Sequence, residues 1–503
     1  MYLYPLLSML NIIPSSNNVK EKQITELKKI LEKVSDTEFG KKHKMEEINQ
    51  YEDFQKHVPI TDYSDISEYV ERMKKGEKNI LWPGKIKNYA VSAGTTGDGK
   101  HIPLSKQRIK SDQRFMRKVF TSYALQRPNL FPLIGDHISL PGQINKHEKF
   151  DDVDLGEISA FLAKDSPGIM KHFQIHDPDK MIYQDWNDKF DSVLEKAVKG
   201  DVRQITAVPS WILSLFQEAL KKTGNKKIKD LWPNLRLIIT GGEALGSYIP
   251  HFNKLCEGLE IDYVENYGAS EGYLAYADDL KKDDLYLMTD NGLFYEWIPN
   301  PPADKAELKK AKAIPTWKVE KGVPYAVLIT NNCGLFRYTL NDLIEFTDTE
   351  IPRIKVVGRV SDMLDRFGEA VEIHEVTNAI AHAEKVTSSK IGLFTLGALL
   401  EKEDDKPMHV WFVQWAKEPK SPKDFIEALD ESLSEQNRHY ANRRKSGTLK
   451  LLELHTLSDE ILTEWKENHL KTGAQTKIPK VLQEEDHIRA LRKLCSDKVM
   501  IKE

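Results

Sequence analysis

At 503 residues the chain is longer than one hydrophobic core usually supports, so two domains are expected. Hydrophobic residues at 40% and charged residues at 30% suit a full core under a well-solvated surface, and 73 basic against 77 acidic residues leave a net charge of −4, which removes any global electrostatic case for nucleic acid as a partner. Cys256, Cys333 and Cys495 are far apart and lack CxxC spacing, which fits a reducing compartment and argues against a zinc site.

The opening MYLYPLLSMLNIIP has no basic leader and is interrupted by Pro5 and Pro14. It is too short to span a bilayer and reads as a short amphipathic helix packed on the body, with a membrane-surface anchor as the alternative. No other apolar run reaches spanning length, so no transmembrane segment is expected and the location is read as cytoplasmic. Ile24, Leu27, Leu31 and Val34 recur at helical spacing and predict an amphipathic helix. FGKKHKMEEINQYEDFQKHVPITDYSDI, from residue 39, and the later ILWPGK read as short helices wrapping a core.

The most unusual stretch is VSAGTTGDGKHIPLS, residues 91 to 105, which follows the apolar run NYAV. Between Gly94 and Lys100 it gathers three glycines, two threonines and a lysine, so backbone N–H groups are exposed and a point charge stands ready for phosphate oxygens. Gly94, Gly99 and Lys100 also satisfy part of a Walker A motif. That motif requires a hydroxyl after the lysine and a helix opening there; His101 and Pro103 deny both. The lysine is read as entering a strand, with a helix capped by Ser105 that carries Ile109, Met116, Val119, Phe120 and Tyr123 on one face. A mobile hairpin tip is the bland alternative.

Residues 135 to 250 alternate between strand and helix patterns. DVRQITAVPS reads as a strand ending at Pro209, WILSLFQEALKK as a helix, and LRLIIT as a buried strand followed by Gly241, Gly242 and Glu243. A parallel or mixed sheet covered by helices is implied, with ligands beyond the carboxyl ends of the strands. From 284 to 358 hairpins are expected, one turning at Asn291 and Gly292 and one around Asn331 and Asn332, separated by a polar loop from 299 to 315. After about 361 come a helix near 374 to 384, strands IGLFTL and HVWFVQW, a helix opened by Ser421 and Pro422, a strand LKLLEL and a helix near 458 to 470. The expected fold is α/β: a large N-terminal domain, 1–360, with helix-covered mixed sheets and a β-hairpin subdomain, and a smaller α+β C-terminal domain, 361–503.

Four further segments carry unusual chemistry. ENYGASEG sets Tyr267, able to stack on a purine if its edge is exposed, ahead of Ser270 and Glu271, whose hard carboxylate oxygens suit Mg²⁺. A core tyrosine at a strand-to-turn junction is an equal alternative. FRYTLNDLIEF places Asp342 between two strand-like runs, either as an acceptor for vicinal ribose hydroxyls or as an ordinary turn residue. VGRVSDMLDRFGEAVEIHEV holds Arg359 at the domain junction, and GAQTKIPK holds Lys477 and Lys480 in a late loop; both segments also read as solvated surface.

In this order the segments resemble the adenylate-forming superfamily of acyl-CoA ligases, luciferases and peptide-synthetase adenylation domains. The early helical segments, SAGTTGDGKHIPLS, VPSWIL and LDESLSEQNRHYANRR resemble more narrowly the acyl acid amido synthetases, the family of auxin-conjugating enzymes, from about residue 25 to 485. The resemblance implies that a carboxylic acid is joined to AMP and then passed to an amine, an amino acid being expected, with ATP and Mg²⁺ as cofactors. Carried over by position, Ser92, Gly94, Thr95, Thr96, Gly97 and Lys100 hold the triphosphate. Gly242, Glu243 and Tyr267 frame the adenine. Ser270 and Glu271 sit by the α-phosphate and Mg²⁺, Asp342 and Arg359 take the ribose, and Asp362 is the hinge of a mobile small domain. Lys100, Glu271 and Lys477 carry the catalytic roles, although Lys480 competes with Lys477 and Ala370 stands where relatives can carry a lysine. The acyl pocket is expected near Trp211 and residues 131 to 143, and a monomer is expected. Thioester formation with CoA and a nucleotide-binding pseudoenzyme are the competing readings.

Overall fold

The computed structural model describes residues 18–92, 100–127, 131–147, 149–165, 171–184, 186–242, 245–302, 305–360, 364, 367, 369, 371, 373–400, 406–469, 478–482 and 484–499. The opening apolar segment therefore lies outside the described residues. The chain divides into two compact units, one formed by Met1–Leu245 with Phe252–Val356, the other by Gly246–His251 with Val357–Glu503. Among the described residues no helix is long and apolar enough to cross a membrane.

In the first unit α1 (Val19–Val34) buries Leu27, Ile30, Leu31 and Val34, as its spacing predicts. It is followed by the short helices α2 (Glu38–Lys42), α3 (Tyr51–His57) and α4 (Tyr63–Lys74), the last held by an Asp62–Asp65 capping box. Strands β1 (Asn88–Ser92) and β2 (Lys100–Leu104) pair antiparallel, with Ser92 opposite Lys100. Lys100 thus enters a strand, and Ser105 caps α5 (Lys106–Gln126) by accepting from the Arg108 N–H. Strands β3 (Asp136–Ser139), β4 (Ile144–His147) and β5 (Phe150–Gly156) follow, and β2-β1-β5-β4 form one four-stranded sheet.

The large sheet begins with three parallel pairings, β3 with β6 (Val202–Thr206), β6 with β7 (Leu237–Gly241) and β7 with β8 (Asp262–Ala269). Strand β6 ends before Pro209, which occupies the first turn of α6 (Pro209–Thr223) rather than closing the strand. The sheet turns antiparallel at β9 (Gly272–Tyr276) and continues through β10 (Leu285–Leu287), β11 (Leu293–Pro299), β12 (Ile314–Pro315), β13 (Pro324–Asn331), β14 (Tyr338–Asp348) and β15 (Arg353–Arg359). Its order is β12-β11-β13-β14-β15-β10-β9-β8-β7-β6-β3.

Two local expectations are corrected here. The turn at Asn291 and Gly292 does not close a hairpin, because β10 pairs with β9 and β15 while β11 pairs with β12 and β13. Helix α1 supplies the missing partners: Glu26 accepts the Gly292 N–H at 2.7 Å, and Gln23 both accepts the Tyr295 N–H at 2.8 Å and donates to the Leu293 carbonyl at 2.9 Å. The segment from 299 to 315 also contains α7 (Lys305–Lys310) and β12, so it is more than a loop. The expected hairpin of β13 and β14 is present.

The second unit centres on β16 (Lys390–Leu399) and β17 (Met408–Lys417), in a sheet of order β18-β17-β16-β19 with β18 (Glu453–Thr456) and β19 (Val481–Leu482). Strand β17 is buried on both faces. Trp411 and Val413 meet the cluster formed with α8 (Ile373–Thr387) and α9 (Pro422–Gln436), while Val410 and Phe412 meet Trp465 and Ile488. That double burial explains the unbroken apolar run. The expected strand LKLLEL starts later, at Glu453. Pattern reading did not separate out α10 (Arg438–Lys445), and after α11 (Asp459–His469) it did not reach β19 or α12 (Glu485–Val499).

A buried ion pair ties the amino-terminal helices of the first unit to its large sheet. Arg337 has the left-handed φ of 46°; its Nε donates to Glu296 Oε2 at 2.8 Å and its Nη1 to the Val58 carbonyl at 2.8 Å. Glu296 Oε1 accepts from the Tyr51 hydroxyl at 2.9 Å. Removing one partner leaves the other charge without compensation, so Glu296→Ala is expected to destabilise the protein by about 3–5 kcal/mol in urea unfolding. A loss below about 1 kcal/mol would show that the pair does not hold these elements together.

Candidate active site

Two adjacent glycines, Gly241 at the end of β7 and Gly242 after it, are required for different reasons. A Cβ on Gly241 would stand 2.5 Å from the Asn266 carbonyl oxygen, so only glycine lets β7 approach β8 there. Gly242 has φ +81°, in the left-handed region. Glu243 lies outside the described residues, as do Gly94, Thr95, Thr96, Gly97, Asp362, Ala370 and Lys477. Ser92 ends β1 at the mouth of the glycine loop; its side chain is likewise outside what is described.

Strands β8 and β9 are joined by the Ser270–Glu271 turn, whose main chain is held from two sides. Arg108 Nη1 on α5 donates to the Ser270 carbonyl at 3.1 Å, and Asn331 Nδ2 at the end of β13 donates to the Glu271 carbonyl at 2.9 Å. Arg108 is anchored by Asp112 one turn along α5, at 2.9 Å, and both are 1% exposed. Asn331 is fixed in turn, its Oδ1 accepting the N–H groups of Cys333 and Leu335.

This scaffold holds a carboxylate where carboxylates are costly. Glu271 is 7% exposed, and burial pushes its pKa above the ordinary value. Lys100 opposes that rise, Asp342 adds to it, and Arg108 opposes it, which brings these three charged groups within electrostatic reach of Glu271. Lys100 Nζ lies 5.9 Å from the centre of the Tyr338 ring. The Tyr338 hydroxyl is raised well above its usual range, first by burial and then by the neighbouring Glu271 charge.

Asp342 was expected between two strand-like runs, as a ribose acceptor or an ordinary turn residue. It lies inside the continuous strand β14, at an irregularity where Thr339 pairs with Leu328 but Leu343 already pairs with Ala326. Extra residues on β14 are accommodated there by Asn341 at φ 58°, and a bulge of this kind re-aims side chains. Asp342 Oδ2 accepts from the Tyr267 hydroxyl at 2.5 Å. Tyr267 therefore does not present an exposed ring edge: it is 9% exposed and belongs to the main core, because β8 runs in the interior of the sheet. Arg359, the last residue of β15, is exposed and falls in the second unit, whereas Asp342 falls in the first.

The described site residues brought together are thus Lys100, Ser270, Glu271, Tyr267 and Asp342. The sequence reading missed Arg108, Asp112, Asn331 and Tyr338. A signal for the first two was present: opposite charges at i and i+4 on the same helix face as Ile109 and Val119 are out of place unless buried and paired. Asn331 was read only for its turn propensity. A lysine and two carboxylates around buried backbone turns can bind a polyphosphate and hold a hard cation through oxygen. Among the described residues no group of three or more His, Cys, Asp or Glu side chains is arranged as a metal site.

The GH3 family N-terminal domain matches residues 11–190, the GH3 family central domain residues 286–359 and the GH3 family C-terminal domain residues 374–486, together most of the chain. The chain is 23% identical to the indole-3-acetic acid-amido synthetase GH3.3 of Arabidopsis thaliana, over 73% of this chain and 72% of that one. It is 22% identical to the jasmonoyl-L-amino acid synthetase GH3.5 of Oryza sativa subsp. japonica, over 90% of each. The solved GH3.15 acyl acid amido synthetase superposes with a TM-score of 0.78 at 17% identity, covering 97% of this chain and 95% of that one, a likeness of fold. The chain belongs to the GH3 family of acyl acid amido synthetases within the adenylate-forming superfamily, and is an ATP-dependent ligase that activates a carboxylic acid as its acyl-adenylate and forms an amide bond from it.

Proposed function

We propose that adenylation takes place at the buried turn carrying Glu271, and that the amine acceptor is an amino acid. The observation that carries the placement is the convergence of Lys100, Glu271 and Asp342 in one unit, with Glu271 kept buried against its preference for water. A carboxylate is a poor electrophile because its charge is delocalised; attack on the α-phosphorus of ATP expels pyrophosphate and leaves an acyl-adenylate with AMP as leaving group. Little proton transfer is needed in that step, so acceleration comes from alignment and neutralised charge.

In this reading Lys100 meets the β- and γ-phosphates, together with the backbone and hydroxyls of Ser92, Gly94, Thr95, Thr96 and Gly97. Gly242 and Glu243 border the adenine, and Tyr267, buried in the core, acts by fixing Asp342, which takes the ribose hydroxyls. Glu271 with Ser270 faces the α-phosphate. The donor set suits Mg²⁺, which is commonly held by one or two carboxylates plus substrate phosphates and keeps several waters; bound there, the ion would neutralise phosphate charge. Lys477 is proposed as a second lysine for adenylation and Asp362 as the hinge between a nucleotide- and acyl-binding domain, 1–360, and a mobile domain, 361–503. The amino acid acceptor is supported by the relative named for jasmonoyl-L-amino acid synthesis. At 22–23% identity the relatives' acids do not transfer, so neither indole-3-acetate nor jasmonate is assigned.

Pyrophosphate exchange into ATP, run over a panel of carboxylic acids with Mg²⁺, should show exchange dependent on one class of acid. Adding amino acids should then give amides detectable by mass spectrometry. Exchange followed by transfer to CoA but not to amino acids would reject the amide reading of the acceptor. Separately, Asp342→Ala should reduce ATP affinity at least tenfold, through loss of hydrogen bonds to a charged acceptor, while the protein stays folded. Unchanged ATP affinity in that variant would remove Asp342 from the nucleotide site.

A further inference from the structure

Helix α4 begins at Tyr63 and ends at Lys74, and both residues close on His101 of β2. As the edge strand of its four-stranded sheet, β2 has one row of backbone groups facing away from β1. On that row the His101 N–H donates to the Tyr63 hydroxyl at 2.9 Å. At the other end of the helix, Lys74 Nζ meets His101 Nδ1 at 2.8 Å and is also paired with Glu71 Oε1 at 2.5 Å. With the Lys74 ammonium as donor, His101 Nδ1 is the acceptor in this contact. Lys74 is 4% exposed, an unusual place for a lysine on a surface helix.

The segment leading into α4 is fastened just as firmly to β14. The Thr61 N–H donates to the Arg337 carbonyl at 3.0 Å, the Thr339 N–H donates to the Thr61 carbonyl at 2.9 Å, and the Thr61 hydroxyl donates to the Phe336 carbonyl at 2.8 Å. Residues 61–74 therefore connect the hairpin whose mouth is the Ser92–Lys100 pair to the strand that carries Tyr338 and Asp342. Lys100 is the residue next to the one gripped from both ends of α4.

We propose that Tyr63 and Lys74 are positioning residues for acyl adenylation: by holding His101 they fix the direction in which Lys100 leaves the hairpin toward the β- and γ-phosphates of ATP. The inference rests on the reading that Lys100 meets those phosphates. Neither residue touches the nucleotide; both act through Lys100.

The test uses binding of ATP and of AMP, each with Mg²⁺, by titration calorimetry on the full chain. It compares Tyr63→Phe, Lys74→Met, Lys100→Ala and the Tyr63→Phe, Lys100→Ala double variant, with thermal melts as a control on folding. Each positioning variant should weaken ATP by about 3- to 10-fold, the effect of one hydrogen bond, and leave AMP unchanged. With Lys100 already removed, Tyr63→Phe should cause no further loss, since residues acting through one another are non-additive. Equal weakening of ATP and AMP, no weakening at all, or an additive loss in the double variant would overturn the proposal while leaving Lys100 in place. A silent Lys100→Ala would instead remove Lys100 from the phosphates, and the proposal with it. Lys74→Met removes a buried charge and can unfold the protein; Tyr63→Phe deletes one hydroxyl from a half-buried ring and decides the question alone.

Discussion

The site depends on one costly arrangement, a carboxylate held out of water at the Ser270–Glu271 turn with a second carboxylate, Asp342, close enough to raise its pKa further. Folding alone disfavours this, because burial penalises the charged form and like charges repel. The surrounding polar network lowers that cost without removing it. Arg108 and Asn331 satisfy the turn's two carbonyls, Tyr267 donates to Asp342, and Lys100 supplies an opposite charge. What remains is a net negative charge on two buried carboxylates, which a hard cation carried by a polyphosphate would offset.

Two sheets together supply the arrangement from three distant stretches of chain. The β8–β9 turn supplies Glu271, β14 supplies Asp342 and Tyr338, and the β1–β2 hairpin supplies Lys100. The hairpin belongs to a different sheet, so it needs its own fastening, and residues 61–74 provide one. The Arg337–Glu296 pair lies immediately before Tyr338 and fixes the start of β14 against α3. Along RYTLND, Arg337 holds the framework through Glu296, Tyr338 lies beneath Lys100, Asp342 accepts from Tyr267, and Asn341 absorbs the left-handed backbone between them.

Elements with strong local signals were legible from the sequence. Ser105 as a cap, Lys100 entering a strand because of His101 and Pro103, the amphipathic α1 and the strand run HVWFVQW all follow from nearest-neighbour chemistry. The misread features depended on long-range partners. Asn291 and Gly292 have hairpin-turn composition, yet Gln23 and Glu26 on α1 satisfy the backbone that a paired strand would have taken. For Tyr267 the local sequence leaves a stacking ring and a core tyrosine equally open, and the sheet order, with β8 interior, decides for the core. Asp342 looked like a turn residue because the bulge that holds it is a property of register between two strands. The VPITDY segment was read as mere wrapping, since nothing local marks Tyr63 or Lys74 as partners of a histidine from another element.

Glu271→Gln tests most directly the proposal that Glu271 is kept for a ligand at the expense of the fold, by thermal melting with and without ATP and Mg²⁺. Replacing a buried charge by an isosteric neutral group should raise the melting temperature of the protein alone while abolishing the shift produced by ATP with Mg²⁺. A lowered melting temperature with the nucleotide shift intact would contradict the account, because Glu271 would then be serving the fold and not the substrate.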